Sequence, residues 1–209
     1  MKQRTPRIGI YAGTFDPVHA GHITFALQAL EAAKLDRVYF LPERQPRNKS
    51  GVEHFGHRVA MLHRALRPHP QFDVLELVDV KFSVLHTLPK LQGQFGQAQL
   101  AFLFGSDVIS DLPDWPNSEQ LLHGSELVIG LRNQDDESAL ETTIRSWPVS
   151  PVAVTSFPSY APTVSSDQIR AALYQRKPTG GLLSSVKRYS DRHWLYISLA
   201  QRVAVTEHP

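Results

Sequence analysis

The sequence predicts an α/β protein, a doubly wound parallel sheet with a helical C-terminal cap. Three observations carry this reading. Short β-biased apolar runs recur along the chain, segments with the three-and-four spacing of amphipathic helices stand between them, and the stretch after residue 165 reads as helices only. Strands that alternate with helices form βαβ units, which close a parallel sheet. With 209 residues, no internal repeat and no obvious linker, the chain reads as one domain over 1–209, of which 165–209 is a helical subregion.

The elements follow in order. Arg7-Ile-Gly-Ile-Tyr11 is a first strand, ended by Ala12-Gly13 and a turn at Pro17. Ile23, Leu27 and Leu30, with Ala26 and Ala33, then mark a helix. Arg37-Val-Tyr-Phe-Leu41 is a second strand, stopped by Pro42. Glu43 to Gly51 is polar and carries Arg44, Arg47 and Lys49, after which Val59, Leu62 and Leu66 mark a second helix. Further strands are expected at Phe72 to Val80, Gln99 to Phe104, Leu127 to Leu131 and Val152 to Phe157, and helices from Ser165 to Val203. In open sheets of this kind ligands sit beyond the carboxyl ends of the strands, where strand order reverses. The loops that follow strands are therefore where chemistry is expected.

Composition narrows the classes of function. Lys plus Arg number 22 against 20 Asp plus Glu, a formal charge of +2, which argues against a nucleic-acid coat or a membrane-surface binder. The absence of cysteine excludes a disulfide framework, a Cys-ligated metal and a thiol nucleophile. No window approaches the roughly 20 apolar residues that span a bilayer, and the apolar run at Ile8 is too short for a signal-peptide core. A cytoplasmic location is expected, with homo-oligomerisation left open. The ten histidines are unevenly spread, and two of them fall in the first strand-end loop.

That loop reads Gly13-Thr-Phe-Asp-Pro-Val-His-Ala-Gly-His22. Gly13 is expected to turn the backbone close to a ligand, and Thr14 to offer a hydroxyl and an amide. Gly21 is expected to leave the first amides of the following helix uncovered for an anion. His19 and His22, three apart, share one face of the first helical turn. Two imidazoles at an amide-lined helix start suit a phosphate whose charge grows during reaction, although a lone His-x-x-His is more often a surface pair. Late in the chain, Ser165 and Ser166 offer an N-cap, and Arg170 lies one turn beyond. A hydroxyl, free amides and a guanidinium fork make a second anion site, with an ordinary capped helix as the plainer reading. Between them, Phe104-Gly-Ser-Asp-Val-Ile-Ser-Asp-Leu-Pro-Asp-Trp115 follows a strand, so Gly105 and Asp107 suit a sugar or base and Trp115 offers a flat face for a ring. A third cluster, His54, His57 and His63, sits on one predicted helix, where a solvated or phosphate-facing helix start fits better than a metal site.

Taken together, these strings resemble the nucleotidylyltransferase superfamily, and the first loop resembles its bacterial nicotinate mononucleotide adenylyltransferase branch. Val164-Ser-Ser-Asp-Gln-Ile-Arg170 resembles the family's second signature, with Asp167 in place of its usual Thr, and Arg58-Val-Ala-Met-Leu62 resembles a family helix. The resemblance implies a Rossmann-like nucleotidylyltransferase fold and transfer of the adenylyl group of ATP to the 5′-phosphate of nicotinate or nicotinamide mononucleotide, with release of pyrophosphate, in NAD biosynthesis. It implies His19, His22 and Arg170 as catalytic, and Gly13, Thr14, Phe15, His19, His22, Gly105, Asp107, Ser165, Ser166 and Arg170 as ATP-binding. It further implies Lys49, Thr87, Trp115 and Arg132 as acceptor-binding, no metal held by the protein, and Mg²⁺ bound mainly through the ATP phosphates.

Two segments depart from the family's pattern. Gln45-Pro-Arg-Asn-Lys49 stands where Pro-Pro-His-Lys is usual, and Phe82-Ser-Val-Leu-His-Thr-Leu88 keeps Thr87 and Leu88 but has Ser83 and Val84 in place of Tyr and Thr. A related transfer to phosphopantetheine or from CTP, and a non-catalytic nucleotide-binding regulatory module, are the competing readings.

Overall fold

Six parallel strands form one sheet in the computed structural model, which describes residues 4–46, 50–79, 81–132, 135–160 and 164–197. They are β1 (Arg7–Gly13), β2 (Arg37–Pro42), β3 (Phe72–Val74), β4 (Gln99–Gly105), β5 (Glu126–Arg132) and β6 (Ala153–Ser159), in the spatial order β3-β2-β1-β4-β5-β6. The helices are α1 (Ala20–Ala32), α2 (Phe55–Leu66), α3 (Val84–Phe95), α4 (Ser118–Gly124), α5 (Glu137–Arg145), α6 (Ser166–Tyr174) and α7 (Ser184–Arg192).

The two-residue period of the strands divides the apolar residues between two cores. Val38, Phe40, Ala101, Leu103, Val128 and Phe157 point to one face and pack with Ala26 of α1, Met61 of α2 and Val186 of α7. Ile8, Ile10, Leu100, Phe102, Leu127 and Ile129 point to the other and meet Leu88 of α3, Leu121 of α4 and Leu140 of α5. Strands covered on both faces are buried nearly throughout, which is why β5 reads as a continuous apolar run after Glu126. Glu126 itself is buried at the amino end of β5, where Arg7 pairs with it and the Thr155 hydroxyl donates to it at 2.6 Å.

Two elements differ from the sequence reading. The strand expected over Phe72 to Val80 ends at Val74. It stands at the edge of the sheet; the Leu75 amide still donates to the Phe40 carbonyl, but beyond it the chain leaves the ladder and Val78 is exposed. The helical C-terminal region is broken between α6 and α7 by a loop containing Pro178, Gly180 and Gly181. Residues 198–203 of the expected helical run lie outside the described residues.

Because β1 stands between β2 and β4, the chain runs outward on one side and returns on the other. The carboxyl ends of β1 and β4 therefore part at the point where strand order reverses. Gly13 lies opposite Pro42 and Gly105 opposite Gly130, so these strand ends emerge along one edge.

Candidate active site

A cleft of about 440 Å³ opens where β1 and β4 part. Gly13, Thr14, Phe15 and His22 reach it from the end of β1, the first loop and the start of α1, and Gly105, Asp107, Trp115 and Arg132 from the ends of β4 and β5 and the segment after β4. Eight of the expected site residues thus meet in one place. His19 stands just behind, its ring centre 3.8 Å from that of His22.

The turn expected of Gly13 is made elsewhere. Gly13 ends β1 without a left-handed backbone, and Phe15 takes the positive angle, φ 51°. Glycine at 13 leaves room for the Phe15 ring, since a Cβ there would lie 3.0 Å from it, tighter than ordinary contact. At Gly105 a Cβ would come within 2.4 Å of a carboxylate oxygen of Asp107, the tip of an exposed side chain that can turn aside.

The entrance of α1 fixes the state of both histidines. The His19 amide donates to Nδ1 of His22 at 3.2 Å, so Nδ1 is the acceptor nitrogen and the neutral ring carries its proton on Nε2. His22 therefore borders the cleft in one set tautomer. His19 is buried, and burial lowers its pKa to about 4, which keeps it neutral near pH 7. The helix start is less open than Gly21 implied, for the Ala20 amide is taken by the Gly181 carbonyl at 2.9 Å.

Behind the first loop lies a scaffold that sequence reasoning missed. Arg58 of α2 is buried, and its guanidinium donates to the carbonyls of Thr14 at 2.7 Å, Glu43 at 2.8 Å, Arg44 at 3.0 Å and Glu53 at 3.0 Å. It clamps the loop after β1 to the loop after β2. Asp16 is buried too, accepting from the Tyr196 hydroxyl at 2.6 Å and the Glu53 amide at 3.2 Å. Burial, and then the Asp16 charge, drive the Tyr196 pKa far above the ordinary phenol range, so Tyr196 stays a donor. The pairs join residues up to 180 positions apart, and no local pattern announces them.

The distal anion site is arranged differently from expectation. Ser165 is the N-cap of α6, in a reciprocal capping box with Gln168. Ser166, expected to face a phosphate, donates its hydroxyl to the Pro17 carbonyl at 2.9 Å. Arg170 donates from Nη1 to the Asp16 carbonyl at 2.6 Å, and Nη2 is held by Asp167. Ser166 and Arg170 are thus joined to the first loop, and neither they nor Ser165 line the cleft.

Of the expected acceptor residues, Trp115 stands at the cleft with its ring centre 5.8 Å from Phe104 and 6.4 Å from Phe82. Arg132 is there also, 3.6 Å from the Asp107 carboxylate. Thr87 is not. It is buried one turn into α3, where its hydroxyl accepts from the Ser83 amide at 3.0 Å and faces Asp79. Lys49 lies outside the described residues. Tyr11, Glu43, Phe82 and Phe104 line the cleft unforeseen, although Glu43 directly follows the end of β2 and its position on the ligand edge was a usable signal. Of the remaining histidines, His54 caps α2 by accepting from the Gly56 amide, and His57 lies 2.9 Å from the Tyr189 hydroxyl. Among the described residues no three His, Asp or Glu side chains gather to hold a metal, and no helix is long and apolar enough to cross a membrane.

Comparison with known proteins gives a consistent result. The Cytidylyltransferase-like family model matches residues 10–172. A nicotinate-nucleotide adenylyltransferase of Bacillus subtilis is 33% identical over 199 residues, covering 92% of this chain and 99% of that one. The solved structure of Plasmodium falciparum nicotinic acid mononucleotide adenylyltransferase complexed with NaAD shares the fold, with a TM-score of 0.73 at 18% identity over 91% of this chain and 97% of that chain. The same Plasmodium enzyme complexed with APC gives 0.71 at 17% identity.

Proposed function

The chain belongs to the Cytidylyltransferase-like family of nucleotidyltransferases, and from that premise we propose that it transfers the adenylyl group of ATP to the 5′-phosphate of nicotinate or nicotinamide mononucleotide, releasing pyrophosphate. The observation that carries this reading is the pair of neutral histidines at the start of α1 beside a cleft walled by Trp115, Phe82 and Phe104. Donors for a phosphate and flat faces for a ring stand in one crevice.

In this reaction a phosphate oxygen of the mononucleotide attacks the α-phosphorus of ATP. The new P–O bond forms as the bond from the α-phosphorus to the bridging oxygen breaks, and pyrophosphate carries the electron pair away. The attacking group is already an anion, so no general base is required, and catalysis is positioning and charge stabilisation. His22 donates from Nε2 to the α-phosphate oxygens. His19 sets the His22 ring through its own amide and stands on the side of the departing pyrophosphate. Arg170 holds the β- and γ-phosphates after exchanging Asp167 for them. Gly13, Thr14, Gly105 and Asp107 seat the nucleotide; Trp115 and Arg132 serve the acceptor. Mg²⁺ enters with ATP as part of the substrate. Action in the cytoplasm fits a cysteine-free chain with soluble substrates.

The test is pyrophosphate release by purified protein with Mg²⁺ and either ATP or CTP, against nicotinate mononucleotide, nicotinamide mononucleotide and phosphopantetheine. Release with ATP and a pyridine mononucleotide is expected. Release only with CTP or phosphopantetheine, or ATP binding without release from any acceptor, would overturn the reading.

A further inference from the structure

Beyond α7 the chain turns through Trp194-Leu195-Tyr196, and two residues without glycine's freedom take left-handed backbone there, φ 55° at Trp194 and φ 57° at Tyr196. Such strain persists only where the surroundings hold it in place. Here they hold Tyr196. Trp194 is half exposed, whereas the Tyr196 ring lies in the core beside Met61 and is 1% exposed. Both of its polar ends go to acids: the amide donates to the Glu53 carboxylate at 3.4 Å and the hydroxyl to the Asp16 carboxylate at 2.6 Å.

Asp16 passes this anchorage on to Arg170. One oxygen of its carboxylate takes the Tyr196 hydroxyl; the other takes the Glu53 amide and stands 3.8 Å from Nη1 of Arg170. The Asp16 carbonyl accepts from the same Nη1 at 2.6 Å. A guanidinium is planar and rigid, so a fork gripped at one nitrogen is aimed as a whole. The other nitrogen, Nη2, is held by Asp167, an exposed side chain that a phosphate can replace. Tyr196 does not line the cleft, and any influence it has on a ligand there passes through these contacts.

Resting on the reading of Arg170 given above, we propose that Tyr196 is a positioning residue for the reaction: through Asp16 it aims the Arg170 fork at the phosphates of ATP, so that the turn after α7 sets the affinity for the nucleotide. Without the hydroxyl, Asp16 keeps the Glu53 amide but loses its shortest tie. A carboxylate freed on that side swings toward Nη1 and closes the 3.8 Å gap to an ion pair of its own. Arg170 is then held by two acids, Asp16 and Asp167, and binds phosphate only by leaving both. The His22 ring, held by the His19 amide, is left as it is.

The experiment compares wild type, Tyr196→Phe, Arg170→Ala and the double variant. Phenylalanine keeps the ring in the core and removes only the hydroxyl. With Mg²⁺ present, calorimetry reads the dissociation constant of ATP, and pyrophosphate release reads kcat and KM for ATP and for the mononucleotide. Tyr196→Phe should raise both ATP constants about tenfold, with kcat and the mononucleotide KM within about twofold of wild type. In the Arg170→Ala background the same substitution should add nothing further, because the two residues act as one unit. Unchanged ATP constants, a loss confined to kcat, a rise shared equally by the mononucleotide, or an effect that adds in full to that of Arg170→Ala would overturn the assignment. Should Tyr196→Phe not fold, fluorotyrosine in place of Tyr196 keeps the hydroxyl, and its fluorine resonance should move on addition of ATP and stay still in Arg170→Ala. A resonance that ignores ATP, or follows it equally in both proteins, would count against the proposal. If no mononucleotide releases pyrophosphate the proposed reaction falls, and the ATP dissociation constants still decide the role of Tyr196.

Discussion

Two helix starts in this molecule, those of α1 and α6, read alike in the sequence as anion sites. In the structure they are opposites. At α1 the tautomer of the side chain is preset, because the His19 amide fixes Nδ1 of His22 and places the ring proton on Nε2. At α6 the functional side chains are spent: Ser166 donates to Pro17, and Arg170 is divided between the Asp16 carbonyl and Asp167. A ring held in one tautomer needs no proton rearrangement when charge develops beside it, which suits it to stabilising a transition state. A self-paired cation must first exchange partners, so its strength is traded against its neighbour's. On the proposed reaction, the difference predicts an effect on turnover at α1 and on nucleotide affinity at α6.

The comparison breaks first at His22. His22→Ala removes the preset donor and should lower kcat by about 10²–10³-fold with little change in KM for ATP. Steady-state kinetics within a few-fold of wild type would remove α1 from the chemistry. Arg170→Ala should act mainly on affinity, raising KM for ATP by about 10–100-fold, the value of charge-assisted hydrogen bonds to phosphate. A pure kcat loss would instead make the two helix starts equivalent.

Acid stability gives the next measure. His19 has its pKa lowered to about 4 in the fold, against 6.5 for a solvated histidine side chain. The unfolded chain therefore binds a proton that the folded chain refuses. The contribution is fully present above about pH 6.5 and declines as pH falls toward 4, by at most about 3 kcal/mol. Denaturant unfolding at pH 7 and pH 4.5 should show a drop that His19→Gln removes in part; an unchanged difference would mean that other groups set it. The smallest effect belongs to Asp167. Its exposed pairing with Arg170 is worth up to about 1 kcal/mol, so Asp167→Asn should lower KM for ATP by about two- to fivefold and leave kcat nearly constant. A rise in KM would show that Asp167 orients Arg170 instead of competing for it.

What is legible in the sequence is whatever is local. The strands, the helix periods and the ten-residue loop from Gly13 to His22 are short-range patterns, and the ligand edge follows once alternation implies a parallel sheet. The strand expected over Phe72 to Val80 is too long because β-propensity does not reveal which strand will stand at the sheet edge. Thr87 matches a motif, yet the same hydroxyl is what the Ser83 amide needs at the start of α3, and the helix takes it. Arg58 and Asp16 are hidden for the opposite reason. Their partners are backbone carbonyls and a tyrosine far along the chain, and only the folded topology joins them.

The Asp16 to Tyr196 contact also sets a schedule. Residue 16 leaves the ribosome 180 residues ahead of its partner. At about 5–20 residues per second that interval is roughly 10–40 s. Through that time β1 and its loop exist without the hydroxyl that anchors Asp16, and so without the full joint on which Arg170 rests. The nascent chain carries its signature loop through that whole interval before the joint behind the loop can close.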